Sequence, residues 1–252
     1  MTTLEKINIT DEQKRKYQED GFFILDKVIP DDVLETLRNE CDSLIAEQDA
    51  EMEKQGVTEL NLSRKNSRYF VFLAYKQRKA LGEFIFSDLM EEICKATIGD
   101  DAYLFWEQFV VKGLDKKGAE FTWHQDSGYV DHPHKIYVNC WIPLVDVNEE
   151  NGTIYLLPYS KAGTKEKIEH KVMDGSKDRV GYFGDETGVP VIAKAGSIAV
   201  FSSTCFHRSG PNSTNEMRRA WAIQYSPEVI YEPDGSLKGL DEKFLENGKR
   251  VK

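Results

Sequence analysis

One change of hydrophobic period, near Ala102, limits what this chain can fold into. Before it, apolar residues recur at helical spacing. Val33, Leu34, Leu37, Cys41, Leu44 and Ile45 form one stripe after the start signal Pro30-Asp31-Asp32. After it, Tyr103 to Val111 is aromatic and β-branched, which favours a strand. Further strand-like runs follow at Phe121–Asp126, Lys135–Val147, Thr153–Leu157, Val189–Ala193, Ser197–Ser202 and Arg218–Ser226. Asn151-Gly152 supplies a turn before one of them, and Lys194-Ala195-Gly196 reads as the turn of a second hairpin. Helices first and about eight strands after predict an α+β, mainly β fold, a jelly-roll barrel with N-terminal supporting helices.

Local signals refine the order. Thr10 with Gln13 three residues later reads as a capping box, Gly21 as its helix stop, and Phe22–Leu25 as a short buried strand. Residues 47–68 are polar and are expected to be a loop or frayed helix end, in part a lid. Ser87 is placed to cap a helix through Thr97, with Leu89, Ile93 and Ala96 inward and Gly99 as its stop. Gly113 to Gly118 reads as a turn carrying Lys116 and Lys117, and 161–188 as an excursion between strands. The expected layout is one domain: helical support over 10–100, a β-barrel core over about 102–227, and a peripheral tail over 228–252.

Composition removes several classes of function. A net charge of −10 lacks the basic footprint that a nucleic-acid backbone requires. No apolar run approaches the roughly 18 residues of a membrane span, and Met1-Thr2-Thr3-Leu4-Glu5 does not read as a secretory leader. Cys41, Cys94, Cys140 and Cys205 are widely spaced with no C-x-x-C pair, which argues against zinc ribbons and disulfides and for a reducing cytoplasm. The expected partner is a small molecule, with neither nucleic acid nor membrane; oligomeric state is not legible.

The candidate chemistry lies in Phe121-Thr122-Trp123-His124-Gln125-Asp126. Residues i and i+2 on a strand share a face, so His124 and Asp126 can be aimed at one point. His207, far along the chain, offers a third ligand, and Arg218 follows eleven residues later. Two His and one carboxylate on one side of a metal, with other positions open, suit non-haem iron. A His-x-Asp pair alone is weak and is more often a surface hydrogen bond. His132-Pro133-His134 has no third ligand nearby. His170, among Lys and Glu, reads as solvated. Arg219 suits a surface ion pair, Arg208 should point away from its neighbour His207, and Tyr129 is either a loop aromatic or a substrate contact.

Taken in order, Tyr17-x-x-Asp20-Gly21-Phe22, Trp123-His124-Gln125-Asp126, Asn151-Gly152 with Leu157-Pro158, Ala195-Gly196-Ser197 with Phe201, and His207-x-Ser209-Gly210-x-Asn212 with Arg218 resemble the phytanoyl-CoA dioxygenase family over residues 10–227. The resemblance implies a double-stranded β-helix, the cupin-like variant of the jelly roll. It implies Fe(II) held by His124, Asp126 and His207, with 2-oxoglutarate and O2 as cosubstrates. It also implies Arg218 as partner of the distal carboxylate of 2-oxoglutarate, with Ser209, Gln108 and Trp141 lining that pocket. A guanidinium suits this task because it stays charged and binds carboxylates in two-pronged fashion.

The implied reaction is hydroxylation of an unactivated C–H, or a related desaturation or ring-forming oxidation, with release of succinate and CO2. Asp126 sits where halogenases of this type have Gly or Ala, so halogenation is not expected. Where many members read Pro-Gly-Ser-His, this chain has Pro158-Tyr159-Ser160-Lys161, a loop expected to shape the substrate pocket. The rival readings are a Zn(II) hydrolase using the same three ligands and a non-catalytic barrel that binds a small ligand.

Overall fold

A computed structural model describes residues 7–115, 120–173 and 179–251. Two antiparallel sheets face one another, and helices cover the outer face of the larger. The major sheet runs in the order Phe22–Leu25, Ile198–Ser202, Val138–Pro143, Arg218–Ser226, Ala102–Lys112, Arg68–Phe72, and then a small hairpin within 59–64. The minor sheet runs Val189–Pro190, Ile154–Leu157, Phe206–Ser209, Phe121–His124.

Alternation along the central strands builds two cores at once. Cys140, Ile142, Trp221, Ile223 and Tyr225 point outward and pack with Leu37, Leu81, Leu89 and Ile93 of the helices. Trp141, Ala199, Phe201 and Ala220 point inward and meet Ile154 and Leu156 of the minor sheet. Every residue of Val138–Pro143 is therefore buried, and that strand reads as continuously apolar rather than alternating.

Several local expectations hold. Thr10 and Gln13 form the capping box, and Gly21 ends the helix Asp11–Asp20 in the left-handed region at φ 89°. No side chain would be tolerated there, because the Tyr159 ring already lies 2.8 Å from where a Cβ would stand. Gly152 adopts φ 78° in the turn before Ile154–Leu157. The strand Arg218–Ser226 has the expected limits.

Others are corrected. The helix that starts at Asp31 runs to Gln55, well beyond Ile45, because Met52 continues its buried stripe and Gly56 caps it. The rest of 47–68 leads through the 59–64 hairpin into the strand Arg68–Phe72, toward the edge of the major sheet. Ser87 precedes the helix Asp88–Thr97 without a side-chain cap bond.

Val189–Pro190 and Ile198–Ser202 are not a hairpin. The first pairs with Ile154–Leu157 and the second with Val138–Pro143, so the turn at 194–196 crosses between sheets. The expected peripheral tail is also corrected. Glu242–Glu246 pairs with Ala102–Lys112 and buries Phe244 and Leu245 completely. Apolar residues spaced through a polar tail hid that role. The turn expected at Gly113–Gly118, with Lys116 and Lys117, lies partly outside the described residues.

Candidate active site

The Phe121–His124 strand ends one residue before Gln125, and Asp126 opens a short 3-10 turn, Asp126–Tyr129. The two candidate ligands therefore do not share one strand, as their spacing suggested. Gln125 nevertheless keeps an extended backbone (φ −106°, ψ 138°), so His124 and Asp126 still face the same way. His207 lies opposite His124 across the strand pair. The register then slips by one residue before Ser209 meets Phe121. This bulge lets Phe121 and His124, three apart, both face the interior.

One donor atom from each of His124, Asp126 and His207 lies within 4.8 Å of the other two. Asp126 Oδ1 stands 3.8 Å from His124 Nε2 and 3.7 Å from His207 Nε2. Each imidazole is oriented from behind. His124 Nδ1 is 2.7 Å from the Thr122 carbonyl, and His207 Nδ1 is 3.2 Å from the Cys205 carbonyl. A carbonyl accepts, so Nδ1 carries the proton and the Nε2 lone pair is free for a cation. Gln224 donates to Asp126 Oδ2 at 3.1 Å, which leaves Oδ1 turned toward the two rings.

The electrostatics match a cation site. Burial, and then the charge of His207, holds His124 down to about 4; burial holds His207 down to about 4 as well. Both are neutral near pH 7. Burial raises the Asp126 carboxyl above its ordinary value despite its neighbours. Imidazoles already free of a proton at Nε2 have none to give up when a cation binds, and a desolvated carboxylate gains a full charge partner from a metal ion. Two nitrogens and one oxygen with an open side is a donor set that fits Fe(II).

Beside this cluster a cavity of about 110 Å³ is lined by Gln108, Trp141, Ser209 and Arg218 together with the three candidate ligands. Arg218 is only 1% exposed. It donates from Nη1 to the Val110 carbonyl at 2.9 Å, and its guanidinium lies 5.6 Å from the Trp141 ring centroid. Among the described residues no acceptor reaches its Nε, and burial lowers its pKa to about 9. Asn139, also on the cavity wall, has a buried Nδ2 without a partner. A buried guanidinium and a buried amide, both short of acceptors, fit a ligand rich in carboxylate oxygens.

The other expectations fall out as follows. Arg219 pairs with Asp42 at 2.5 Å on the outer face. Arg208 stacks on Tyr155, 3.8 Å from its centroid, and contributes to the lining of the cavity that holds the metal cluster. Tyr129 packs edge-on against the His124 ring. His134 bonds Ser127 and the His132 carbonyl, so the His132-Pro133-His134 run makes no metal cluster among the described residues. The Pro158–Lys161 segment turns away from the cavity: Tyr159 packs on Gly21 and bonds Thr204 at 2.9 Å.

His170 is not solvated. Its Nε2 accepts from the Gln125 backbone at 2.9 Å, between the two ligand positions. The Gln125 side chain adds bonds to the Glu166 and Thr204 carbonyls and accepts from Ile168. Residues 166–170 thus brace the ligand turn from outside. No spacing in the sequence signals this brace, because its members are about 40 residues apart. Gln224 was legible in principle, since it shares the face of Arg218 at a separation of six on one strand.

A double-stranded β-helix carrying His-x-Asp and a distal His at its mouth, with an arginine deeper inside, is the architecture of the iron- and 2-oxoglutarate-dependent oxygenases. The family model for phytanoyl-CoA dioxygenase matches residues 17–220. The chain belongs to the phytanoyl-CoA dioxygenase family, and is an Fe(II)/2-oxoglutarate-dependent oxygenase.

Among curated relatives, human peroxisomal phytanoyl-CoA dioxygenase is 20% identical over 97% of this chain and 75% of that protein. The ectoine dioxygenase of Streptomyces avermitilis is 25% identical over 82% of this chain and 75% of that protein. The solved structure of SnoK, an α-ketoglutarate-dependent carbocyclase from nogalamycin biosynthesis, superposes with a TM-score of 0.71. It is 18% identical and covers 97% of this chain and 94% of its own. EctD from S. alaskensis, solved with 2-oxoglutarate and 5-hydroxyectoine, gives 0.68 at 17% identity, covering 92% and 82%.

Proposed function

We propose that this chain hydroxylates an unactivated C–H of a small molecule, with Fe(II) held by His124, Asp126 and His207 and 2-oxoglutarate anchored by Arg218. The observation that carries the reading is the position of Asp126: one oxygen fixed by Gln224, the other turned toward two Nε2 lone pairs. Bound together, the metal and the 2-oxo acid supply the oxidant, placing one atom of O2 in succinate and the other in the substrate, with loss of CO2.

The protein's share is positioning. The backbone carbonyls of Thr122 and Cys205 fix the imidazole tautomers, and Gln224 fixes the carboxylate. Arg218 supports one end of the cosubstrate and Trp141 stacks under it, while Ser209 and Gln108 complete the wall. The cavity of about 110 Å³ has room for a small dicarboxylate beside the three ligands.

A zinc hydrolase would have no use for a buried, unpaired guanidinium, and this disfavours that rival. No helix among the described residues is long and apolar enough to cross a membrane. Four buried free cysteines suit a reducing compartment such as the cytoplasm. The test is anaerobic reconstitution with Fe(II) and 2-oxoglutarate, followed by succinate release on admission of air across a panel of small molecules. Release that requires both 2-oxoglutarate and O2, and falls to background in Asp126→Ala, is expected. Asp126→Ala with unchanged turnover would refute the assignment.

A further inference from the structure

Lys112 lies at the inner end of the Ala102–Lys112 strand, directly opposite Arg218 on the neighbouring strand. Both are 1% exposed. Like charges facing one another across a strand pair are destabilising, and burial deepens the cost. Among the described residues neither forms an ion pair. The Lys112 ammonium donates to Ser209 Oγ at 2.8 Å and to the Gly210 carbonyl, and lies 5.9 Å from the Phe121 ring centroid. Ser209 and Phe121 line the cavity; Lys112 stands behind them.

Two buried basic groups kept side by side need a reason. The geometry at Ser209 gives one. A hydroxyl has one proton to donate, and its oxygen accepts. With the Ser209 oxygen occupied by the Lys112 ammonium, its proton is free to point into the cavity. We propose that Lys112 is a second cationic anchor for the distal carboxylate of 2-oxoglutarate, acting through Ser209, which it turns into a hydrogen-bond donor beside Arg218. Lys112 is a positioning residue and does not touch the reacting atoms. The inference rests on the proposed cosubstrate pocket and extends it by one residue that motif and spacing leave out.

Burial, followed by the Arg218 charge, holds Lys112 down to about 6, so near neutral pH the pocket without a carboxylate keeps it mostly as the amine. A bound distal carboxylate would supply the opposite charge that restores the ammonium beside Arg218. Conversely, a monocarboxylic 2-oxo acid of the same length would chelate iron equally well and leave both basic groups uncompensated. The arrangement therefore selects dicarboxylates over their monoacid analogues.

The experiment compares 2-oxoglutarate with 2-oxopentanoate, which has the same chain but no distal carboxylate. Dissociation constants are read anaerobically on the Fe(II)-loaded full chain from the visible charge-transfer band of the chelated 2-oxo acid. Wild type is expected to prefer 2-oxoglutarate strongly. Lys112→Met, similar in volume and uncharged, is expected to reduce that preference about tenfold or more, the size of a lost charge-assisted bond. Its affinity for 2-oxopentanoate should stay within about twofold of wild type.

Ser209→Ala should lose a similar share of the preference, and where Lys112→Met does not fold Lys112→Leu takes its place in the comparison. In the double variant the losses should not add, since they break one relay. Equal weakening toward both acids, or an undiminished preference, overturns the role of Lys112 and leaves the oxygenase reading standing. A wild type that chelates neither acid overturns both.

Discussion

The two faces of the strand Arg218–Ser226 are built by opposite rules. Outward, Trp221 stacks on Phe109 at 5.2 Å and tilts against Phe84 at 5.5 Å, and its indole donates to Glu107 at 2.7 Å. Tyr225 donates to the Ile85 carbonyl at 2.6 Å. The indole and the phenol are both satisfied, and the residues packed around them are largely apolar. Inward, the same strand presents Arg218, with a donor left unpartnered, and Gln224, committed to a carboxylate. One face stabilises the fold; the other holds charges and unmet donors whose partners come from outside the chain. Stability and ligand affinity should therefore separate cleanly when single residues are changed on either side.

The largest effect is expected on the outer face. Trp221→Ala removes a wholly buried indole from between the sheet and the helices and strips Glu107 of a donor. It should cost about 3–5 kcal/mol of folding free energy. Chemical denaturation would measure it, and the protein that remains folded at low temperature should bind 2-oxoglutarate as wild type does. A parallel fall in affinity would break the separation of the two faces.

On the inner face, Arg218→Met should do the reverse. Loss of a charged partner to a buried carboxylate costs roughly 2–5 kcal/mol of binding, thirtyfold or more in the dissociation constant of 2-oxoglutarate. Folding stability without ligand should hold or rise, because a desolvated, unpaired cation is removed. A melting temperature several degrees below wild type would place Arg218 among the structural residues instead.

How far this division was legible follows from where its causes lie. The outer face announces itself by period. Trp221, Ile223 and Tyr225 alternate with small or polar residues, so the strand and its limits were readable, as was the arginine that opens it. The metal cluster was readable because His124 and Asp126 are near neighbours and His207 lies on a recognisable run. What escaped depends on pairing between distant strands, which spacing does not encode. Lys112 gains meaning only when its strand is set against Arg218, and Gln224 only when its strand end is brought over Asp126.

The Arg68–Phe72 strand escaped because a polar, Lys- and Arg-rich approach masks the four apolar residues Tyr69 to Phe72. The tail escaped for the same reason at Phe244 and Leu245. The crossing at 194–196 was misread as a hairpin because a tight turn is a local fact, while the choice of sheet is a global one.

The smallest expected effect concerns a buried acid on the stabilising face. Glu107 is wholly buried. It accepts from the Trp221 indole and, at 2.9 Å, from the Tyr75 backbone. Burial raises its carboxyl above the ordinary glutamate value, outweighing these bonds. A raised acid binds its proton more tightly folded than unfolded. Between the unfolded and folded values the native state therefore holds the extra proton, and stability declines as pH rises through that window, then levels off.

Glu107→Gln removes the titration. It also loses one of two acceptor oxygens, a pH-independent cost of about 1 kcal/mol. Wild type should thus exceed the variant most at the acid end, and the gap should shrink with rising pH until Glu107 is fully ionised. Paired melting curves from the ordinary glutamate range upward test this. A gap that widens with pH would mean that the two donors govern the carboxylate instead of burial, and that the outer face, too, is built around a charge.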